Sequence, residues 1–277
     1  MSELGYGWAI LLGVIQGLTE FLPVSSSAHL AFAQRWIGLD PSSLTMLLFD
    51  LLSHVGTVVS IFIVFREPIG RYARRFANEC RSDWPGRRYG MRIAVLGVSA
   101  LIPTAVIGLG FKEKFEAAFG DARGIGIDLV ITGALLAATA AVPRGRRGWK
   151  DFRVGHAVLI GIAQAISIFP GISRSGATIS TAAFLGIRRR WAGEFSFFIA
   201  IPAILGAAAI KLKDALELGP EGFAALPWGP IVTGSAVSLV TGVVSLRLLL
   251  GAIRRARLHY FAVYCWVVGG LAASGVL

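Results

Sequence analysis

The chain has 277 residues, 55% of them hydrophobic and only 16% charged, with a mean hydropathy of +0.68. That is more apolar material than a core of this size can absorb, which excludes an ordinary water-soluble domain and makes the bilayer the expected solvent. The formal net charge of +11 does not indicate a nucleic-acid binder, because the basic residues gather in short segments between apolar runs rather than on one folded face.

In chain order, the first apolar segment runs from Trp8 to Ile37 and is broken midway by Pro23 and by Ser25, Ser26 and Ser27. Each half is about a dozen residues, too short to cross a hydrocarbon layer of roughly 30 Å, so the segment reads as a re-entrant helix-loop-helix hairpin. Three runs of spanning length follow, Thr45 to Phe65, Ile93 to Phe111 and Ile125 to Val142. A second interrupted segment, Gly155 to Ile187, is broken by Pro170, Gly171 and Ser173 and reads as a second hairpin. Three more spans complete the chain, Phe195 to Ile210, Ile231 to Leu250 and Tyr260 to Leu277. The expected fold is an all-α polytopic membrane protein with six transmembrane helices and two re-entrant hairpins.

If the six spans alternate, one face receives Arg66 to Arg92, Arg144 to Arg153, Arg188 to Arg190 and Arg254 to Arg257, with 19 Lys and Arg, and the other face receives 6. The asymmetry makes the first face cytoplasmic, leaves both termini outside, and has the two hairpins enter from opposite sides. The hairpins also repeat one another. Gly13-Val14-Ile15-Gln16 lies on Gly161-Ile162-Ala163-Gln164, with Phe21 on Phe169, Ser25 on Ser173 and Ser27 on Ser175, without a gap. More weakly, Gly97-Val98-Ser99-Ala100 lies on Gly234-Ser235-Ala236-Val237, and Gly133 on Gly270. One membrane domain, 1–277, is therefore expected to consist of inverted repeats 1–143 and 144–277, with a site where the halves meet. The N-terminus lacks the basic region and cleavage site of a secretory signal, and Cys80 and Cys265 are placed too differently for a disulfide.

Ser25, Ser26 and Ser27, and likewise Ser173 and Ser175, stand before a second half-helix, where hydroxyls cap free N–H groups and the helix end favours an anion. Two such ends meeting in the membrane make a phosphate site; the alternative is that the serines only cap a turn. Arg174 is costly in a membrane without a partner or a task, and its planar fork suits two phosphate oxygens. A structural ion pair with Glu20 or Asp50 is the competing role. Gln16 and Glu20 are four apart on one helix face, and a divalent cation, Mg²⁺ or Ca²⁺, bridging them to phosphate would relieve the repulsion between carboxylate and diphosphate. A polar packing pair is the bland alternative. His29 follows Ser26 by three residues and is a candidate base or acid. Asp50 and His54 are again four apart and either support the site or line its cavity, whereas His156 and His259 are read as structural.

Gln16-Gly17-Leu18-Thr19-Glu20-Phe21-Leu22-Pro23-Val24-Ser25-Ser26-Ser27-Ala28-His29 resembles the first signature of bacterial undecaprenyl-diphosphate phosphatases of the bacitracin-resistance type, with its (E/Q)xxxE element. Pro170-Gly171-Ile172-Ser173-Arg174-Ser175-Gly176-Ala177-Thr178 matches their PGxSRSGxT signature, and Glu194 to Phe197 with Ile201-Pro202-Ala203 is similar to the segment that follows. The resemblance covers the chain in length and order. It implies an integral enzyme of the bacterial inner membrane that removes the terminal phosphate of a C55 isoprenoid diphosphate, regenerating a cell-wall lipid carrier and conferring bacitracin resistance. It also implies a pocket opening outward and site roles for Glu20, Ser26, His29, Ser173, Arg174, Ser175 and Thr178. Gln16 takes the first place of (E/Q)xxxE, Ala28 stands where glycine is common, and Ser27 where threonine is common.

The expected chemistry has Ser26 attack the terminal phosphorus in line, helped by His29, while Arg174, the helix ends with Ser25, Ser27, Ser173, Ser175, Gly176 and Thr178, and the cation hold the phosphate oxygens. Direct attack by water with His29 as base remains the alternative. The expected partners are an isoprenoid diphosphate lipid, the bilayer and, as an open alternative, a second copy in a homodimer; nucleic acid is not among them. A transporter or flippase is the rival class, because broken helices in inverted repeats also build transporters. A purely structural protein leaves Arg174 and Glu20 without a purpose.

Overall fold

The computed structural model describes residues 4–41, 43–81, 89–143, 145–216 and 226–276, without the side chains of 214–216. Arg87, Arg88, Arg144 and Leu277, which enter the topology and span expectations above, lie outside the described residues. The elements are α1 (Tyr6–Phe21), α2 (Ser26–Ile37), α3 (Leu44–Val64), α4 (Arg66–Arg81), α5 (Tyr89–Gly110), α6 (Lys112–Ala118), α7 (Ala122–Ala138), α8 (Val154–Ile166), α9 (Arg174–Phe184) and α10 (Arg189–Leu216), then α11 (Trp228–Arg254) and α12 (Tyr260–Ala273). A 3₁₀ turn, Thr139–Ala141, extends α7, and among the described residues the one β-type pairing is an isolated bridge between Arg147 and Ile187.

Both interrupted segments form two half-helices. Pro23 disfavours helical backbone at the residue before it, and Leu22 accordingly turns extended (φ −58°, ψ 141°) and ends α1. In the second hairpin the reversal falls on Gly171, at φ +104°, where a Cβ would come within 2.5 Å of Asp128 Cβ and the Ile125 carbonyl oxygen. Only glycine meets both demands.

Among the described residues, five helices are long and apolar enough to cross a membrane: Leu44–Val64, Tyr89–Gly110, Ala122–Ala141, Arg189–Lys213 and Trp228–Arg254. These answer five of the six expected spans. The sixth expected span, Tyr260 to Leu277, forms a helix of only 14 residues, which stops at Ala273 before Gly275 turns left-handed at φ +81°. The chain is thus a multi-pass membrane protein by its helices. The arginine-rich stretch after the first long helix, which the sequence marks only as a basic segment between apolar runs, forms α4 up to Arg81. Its Tyr72 hydroxyl donates to Glu194 (3.1 Å) and accepts from Trp149 Nε1 (3.1 Å). Its Glu79 carboxylate accepts the Gly90 and Met91 N–H groups (2.8 and 2.9 Å), satisfying donors that α5 leaves open at its start.

Packing between helices is crosswise. The first half-helix of one hairpin, α1, lies along α11, and the first half-helix of the other, α8, lies along α5; α7 pairs lengthwise with α12. Small residues permit this closeness, as expected between helices in lipid. A Cβ on Gly13 would sit 2.3 Å from the Gly234 carbonyl oxygen, and one on Gly161 would sit 2.1 Å from that of Ala100. The same hydrogen bond closes each contact: Thr241 Oγ1 donates to the Gly13 carbonyl (3.4 Å) and Thr104 Oγ1 to the Gly161 carbonyl (3.0 Å). Gly13 and Gly161 are the residues the repeat aligns, and Thr104 and Thr241 each stand seven residues after the aligned Gly97 and Gly234.

Candidate active site

The hairpin tips touch. The backbone N–H of Gly171 donates to Ser25 Oγ at 3.1 Å, joining loop two to loop one across 146 positions of sequence. Behind each tip stands one of the paired helices α7 and α12. Thr132 of α7 accepts the Ser173 N–H (3.0 Å) and donates to the Gly171 carbonyl (2.9 Å), while Cys265 Sγ of α12 reaches the Pro23 carbonyl (3.6 Å).

Glu20, on the last turn of α1, is the centre of the constellation. Its Oε1 accepts from Arg174 Nη2 at 2.6 Å, and its Oε2 accepts from Ser26 Oγ at 2.8 Å and from Gln16 Nε2 at 3.0 Å. His54 Nε2, from α3, lies 3.6 Å from Oε2, with its Nδ1 donating to the Asp50 carbonyl at 2.6 Å. The side chain of Glu20 is 6% exposed and that of Arg174 16%, so the two charges are withdrawn from water and depend on each other. Asp50 turns its own carboxylate away, to Gln34 Nε2 at 3.0 Å. Two buried polar atoms here have no hydrogen-bond partner among the described residues, Arg174 Nη1 and Gln16 Oε1. One is half of a phosphate fork and the other a hard oxygen ligand.

The serine loops differ in what they do locally. Ser173 caps α9, its Oγ accepting the Gly176 N–H at 3.1 Å and lying 3.2 Å from Ser175 Oγ. Ser25 was expected to cap α2 in the same way, but it does not. Its backbone is at φ +68°, where a residue with a Cβ is disfavoured by about 1–3 kcal/mol, and its hydroxyl is taken by Gly171 and by Ser27 Oγ (3.1 Å). Thr178 Oγ1 donates to the Arg174 carbonyl at 2.8 Å and meets Ser196 Oγ of α10. Gly176 lies so near Ser173 that a Cβ there would be 3.1 Å from Ser173 Cβ.

His29 shares a turn of α2 with Ser26, as its spacing indicates, yet the two side chains part. Ser26 turns to Glu20, whereas His29 places Nδ1 2.8 Å from the Ser25 carbonyl and Nε2 2.7 Å from the Tyr264 hydroxyl of α12. The rings of His29 and Tyr264 stack with centroids 5.6 Å apart and planes 12° from parallel. Gln16, Ser26 and Arg174 thus meet at the Glu20 carboxylate, with His54 3.6 Å away, whereas the hydrogen bonds of Ser25, Ser27, His29, Ser173, Ser175, Gly176 and Thr178 described above go to other groups. Thr132 and Tyr264 are contributors that sequence reasoning passed over, and of the two roles open to His54, supporting the site or lining its cavity, its place 3.6 Å from Glu20 fits the first. A tyrosine hydroxyl and a threonine inside apolar runs were the available signals.

For a cation, the fitting groups are the unpartnered Gln16 Oε1 and the Glu20 carboxylate. No group of three His, Cys, Asp or Glu suited to a metal occurs among the described residues.

Residues 9–271 match the family model described as bacitracin resistance protein BacA. The chain is similar to the undecaprenyl-diphosphatase of Halorhodospira halophila, 40% identical over an alignment of 279 positions, with 96% of each chain covered. It is similar also to the undecaprenyl-diphosphatases of Alkaliphilus metalliredigens, 40% identical with 95% of this chain and 96% of the relative covered, and of Carboxydothermus hydrogenoformans, 38% identical with 94% of each covered.

Proposed function

Because the chain belongs to the bacitracin resistance protein BacA family, we propose that its constellation around Glu20 hydrolyses undecaprenyl diphosphate to undecaprenyl phosphate and inorganic phosphate. The enzyme is a phosphatase of the cell-wall lipid carrier, and the activity confers bacitracin resistance. The observation that carries the mechanism is that one carboxylate joins Ser26 of loop one to Arg174 of loop two, at 2.8 and 2.6 Å.

An arriving diphosphate competes with Glu20 for Arg174. The guanidinium meets phosphate oxygens with Nη1, which already lacks a partner, and then with Nη2. Glu20, relieved of its counter-charge, takes the Ser26 proton along their existing hydrogen bond. Ser26 Oγ forms a bond to the terminal phosphorus as the bond from that phosphorus to the bridging oxygen breaks, and undecaprenyl phosphate leaves. Water then attacks the phosphoserine, phosphate departs, and the proton on Glu20 returns to Ser26. Charge on the equatorial oxygens is met by Arg174 and the start of α9. The 2.8 Å bond supports Glu20 as the base in place of His29, whose ring nitrogens are both engaged elsewhere. Gln16 and Glu20 would hold Mg²⁺ or Ca²⁺, with water and substrate oxygens completing the shell; when bound, the cation supplies charge neutralisation at the phosphate.

The crosswise packing supports an inverted repeat of 1–143 and 144–277, with two re-entrant hairpins and α12 as a sixth crossing beside the full-length α7. The asymmetry of basic residues supports a topology with both termini outside, and membership of the family supports the bacterial cytoplasmic membrane and a site opening outward.

Purified protein in detergent, given undecaprenyl diphosphate with and without Mg²⁺, tests this reading through released phosphate. Wild type releases phosphate, and Ser26→Ala and Arg174→Ala do not. Release by both variants at the wild-type rate would overturn it.

A further inference from the structure

We infer that Tyr264 is a positioning residue for this reaction: its hydroxyl reinforces the Nδ1–H tautomer of His29 that the Ser25 carbonyl selects, its stacked ring holds the imidazole plane, and His29 in turn holds the backbone turn from which Ser26 projects. The inference rests on the phosphatase reading above.

A carbonyl oxygen can only accept, so the 2.8 Å contact of His29 Nδ1 with the Ser25 carbonyl requires the proton on Nδ1. The remaining nitrogen, Nε2, has the Tyr264 hydroxyl as its hydrogen-bond partner at 2.7 Å. Neither partner carries a charge that would favour an imidazolium, so the ring is neutral and Nε2 accepts the Tyr264 O–H. The proton position on one nitrogen is set by what the other bonds to. Stacking at 12° between the two rings fixes the imidazole plane as well.

What this arrangement holds is a turn that the chain does not favour by itself. Loop two reverses at a glycine, Gly171, whereas loop one has a serine at positive φ, Ser25 at +68°. The grips on Ser25 include the Gly171 N–H on its hydroxyl, the Ser27 hydroxyl beside it and, on its carbonyl, the His29 Nδ1–H at 2.8 Å together with the more distant His29 backbone N–H at 3.4 Å. Ser26 is the next residue, so the direction of its Oγ toward Glu20 inherits any slack in that turn. Tyr264 comes from α12, 235 positions away, and is the far end of the chain's grip on the nucleophile loop.

Tyr264→Phe keeps the stacked ring and removes only the hydroxyl, which makes it the discriminating substitution. Two quantities are read, the steady-state constants with undecaprenyl diphosphate and the side-chain ¹⁵N spectrum of histidine-labelled protein, with His29→Gln assigning the His29 signals among four histidines. The expected result is a kcat lower by about 10- to 100-fold with KM within about twofold of wild type, as for a small misplacement of a reacting group. The ¹⁵N pattern is expected to change from a single Nδ1–H tautomer to a mixture. A merely structural tyrosine would lower the yield or melting temperature and leave kcat per folded molecule and the tautomer as they are; that result overturns the inference. Ser26→Ala is run alongside. If it is inactive while Tyr264→Phe is normal, only the role of Tyr264 falls; if Ser26→Ala turns over normally, the serine mechanism falls and this inference with it.

Discussion

Glu20 and Arg174 stand 154 positions apart in sequence and 2.6 Å apart in space, each delivered by a half-helix of a different hairpin. The pair keeps an arginine and a carboxylate in a membrane protein's interior without an unpaired charge, and it holds both groups where a phosphate can separate them. Removing one partner leaves the other buried and uncompensated. Arg174→Ala is therefore expected to lose about 3–5 kcal/mol of stability as well as activity. Adding Glu20→Gln to Arg174→Ala should restore much of the stability and none of the turnover, as measured by thermal unfolding in detergent beside phosphate release. A double variant no more stable than Arg174→Ala would contradict the pairing.

Gln16 carries the cation question. Chelation by EDTA should abolish phosphate release and Mg²⁺ should restore it, because the Gln16 and Glu20 oxygens leave most of a coordination shell to water and substrate. Gln16→Glu adds a carboxylate at the unpartnered oxygen and should lower the Mg²⁺ concentration for half-maximal rate, whereas Gln16→Ala should raise it. A Mg²⁺ titration of the three proteins decides; identical curves would remove Gln16 from the cation site.

The crosswise packing makes a prediction of its own. Gly161→Ala places a Cβ where the Ala100 carbonyl oxygen stands, 2.1 Å away, so α8 and α5 must separate. Overpacking of this kind costs about 1–3 kcal/mol, and the melting temperature should fall. Gly97→Ala, on a face with open space around it, should leave it nearly unchanged.

At the junction of α4 and α5, Glu79 feels some desolvation that raises its pKa, but the N–H groups of Gly90, Met91 and Tyr89 and the nearby Arg75 together hold it below the ordinary carboxylate value. A depressed folded-state value means that its stabilisation is present above the unfolded pKa and is lost as pH falls through the folded one. Glu79→Gln should therefore melt lower than wild type at neutral pH, and the gap should close in acid below the ordinary carboxylate range. A gap independent of pH would assign Glu79 a packing role only.

Much of this architecture is legible in the sequence. Long apolar runs mark the spanning helices because length is the physical requirement; Pro23 marks the first reversal because it disfavours helical backbone at Leu22, and Pro170 with Gly171 marks the second because glycine alone takes the positive φ there without strain. The helix α4 was hidden because its five arginines read as a topology signal, while Ile69, Tyr72 and Phe76 already sit at helical spacing. The shortness of α12 was hidden because hydropathy continues past Ala273 and nothing apolar registers a left-handed Gly275. At the site, Glu20, Ser26 and Arg174 stood out as polar groups in apolar surroundings. Spacing put His29 on the same turn as Ser26, yet spacing fixes a face and not a rotamer, and the partner that turns His29 aside, Tyr264, belongs to the far end of the chain.

The most direct measurement is rapid acid quench of the enzyme with undecaprenyl diphosphate labelled at its terminal phosphorus, followed by peptide mapping. Ser26 attack predicts label on the peptide containing Ser26 in wild type, none in Ser26→Ala, and greatly reduced label in Glu20→Gln. Unlabelled protein during fast turnover, together with wild-type turnover by Ser26→Ala, would contradict it.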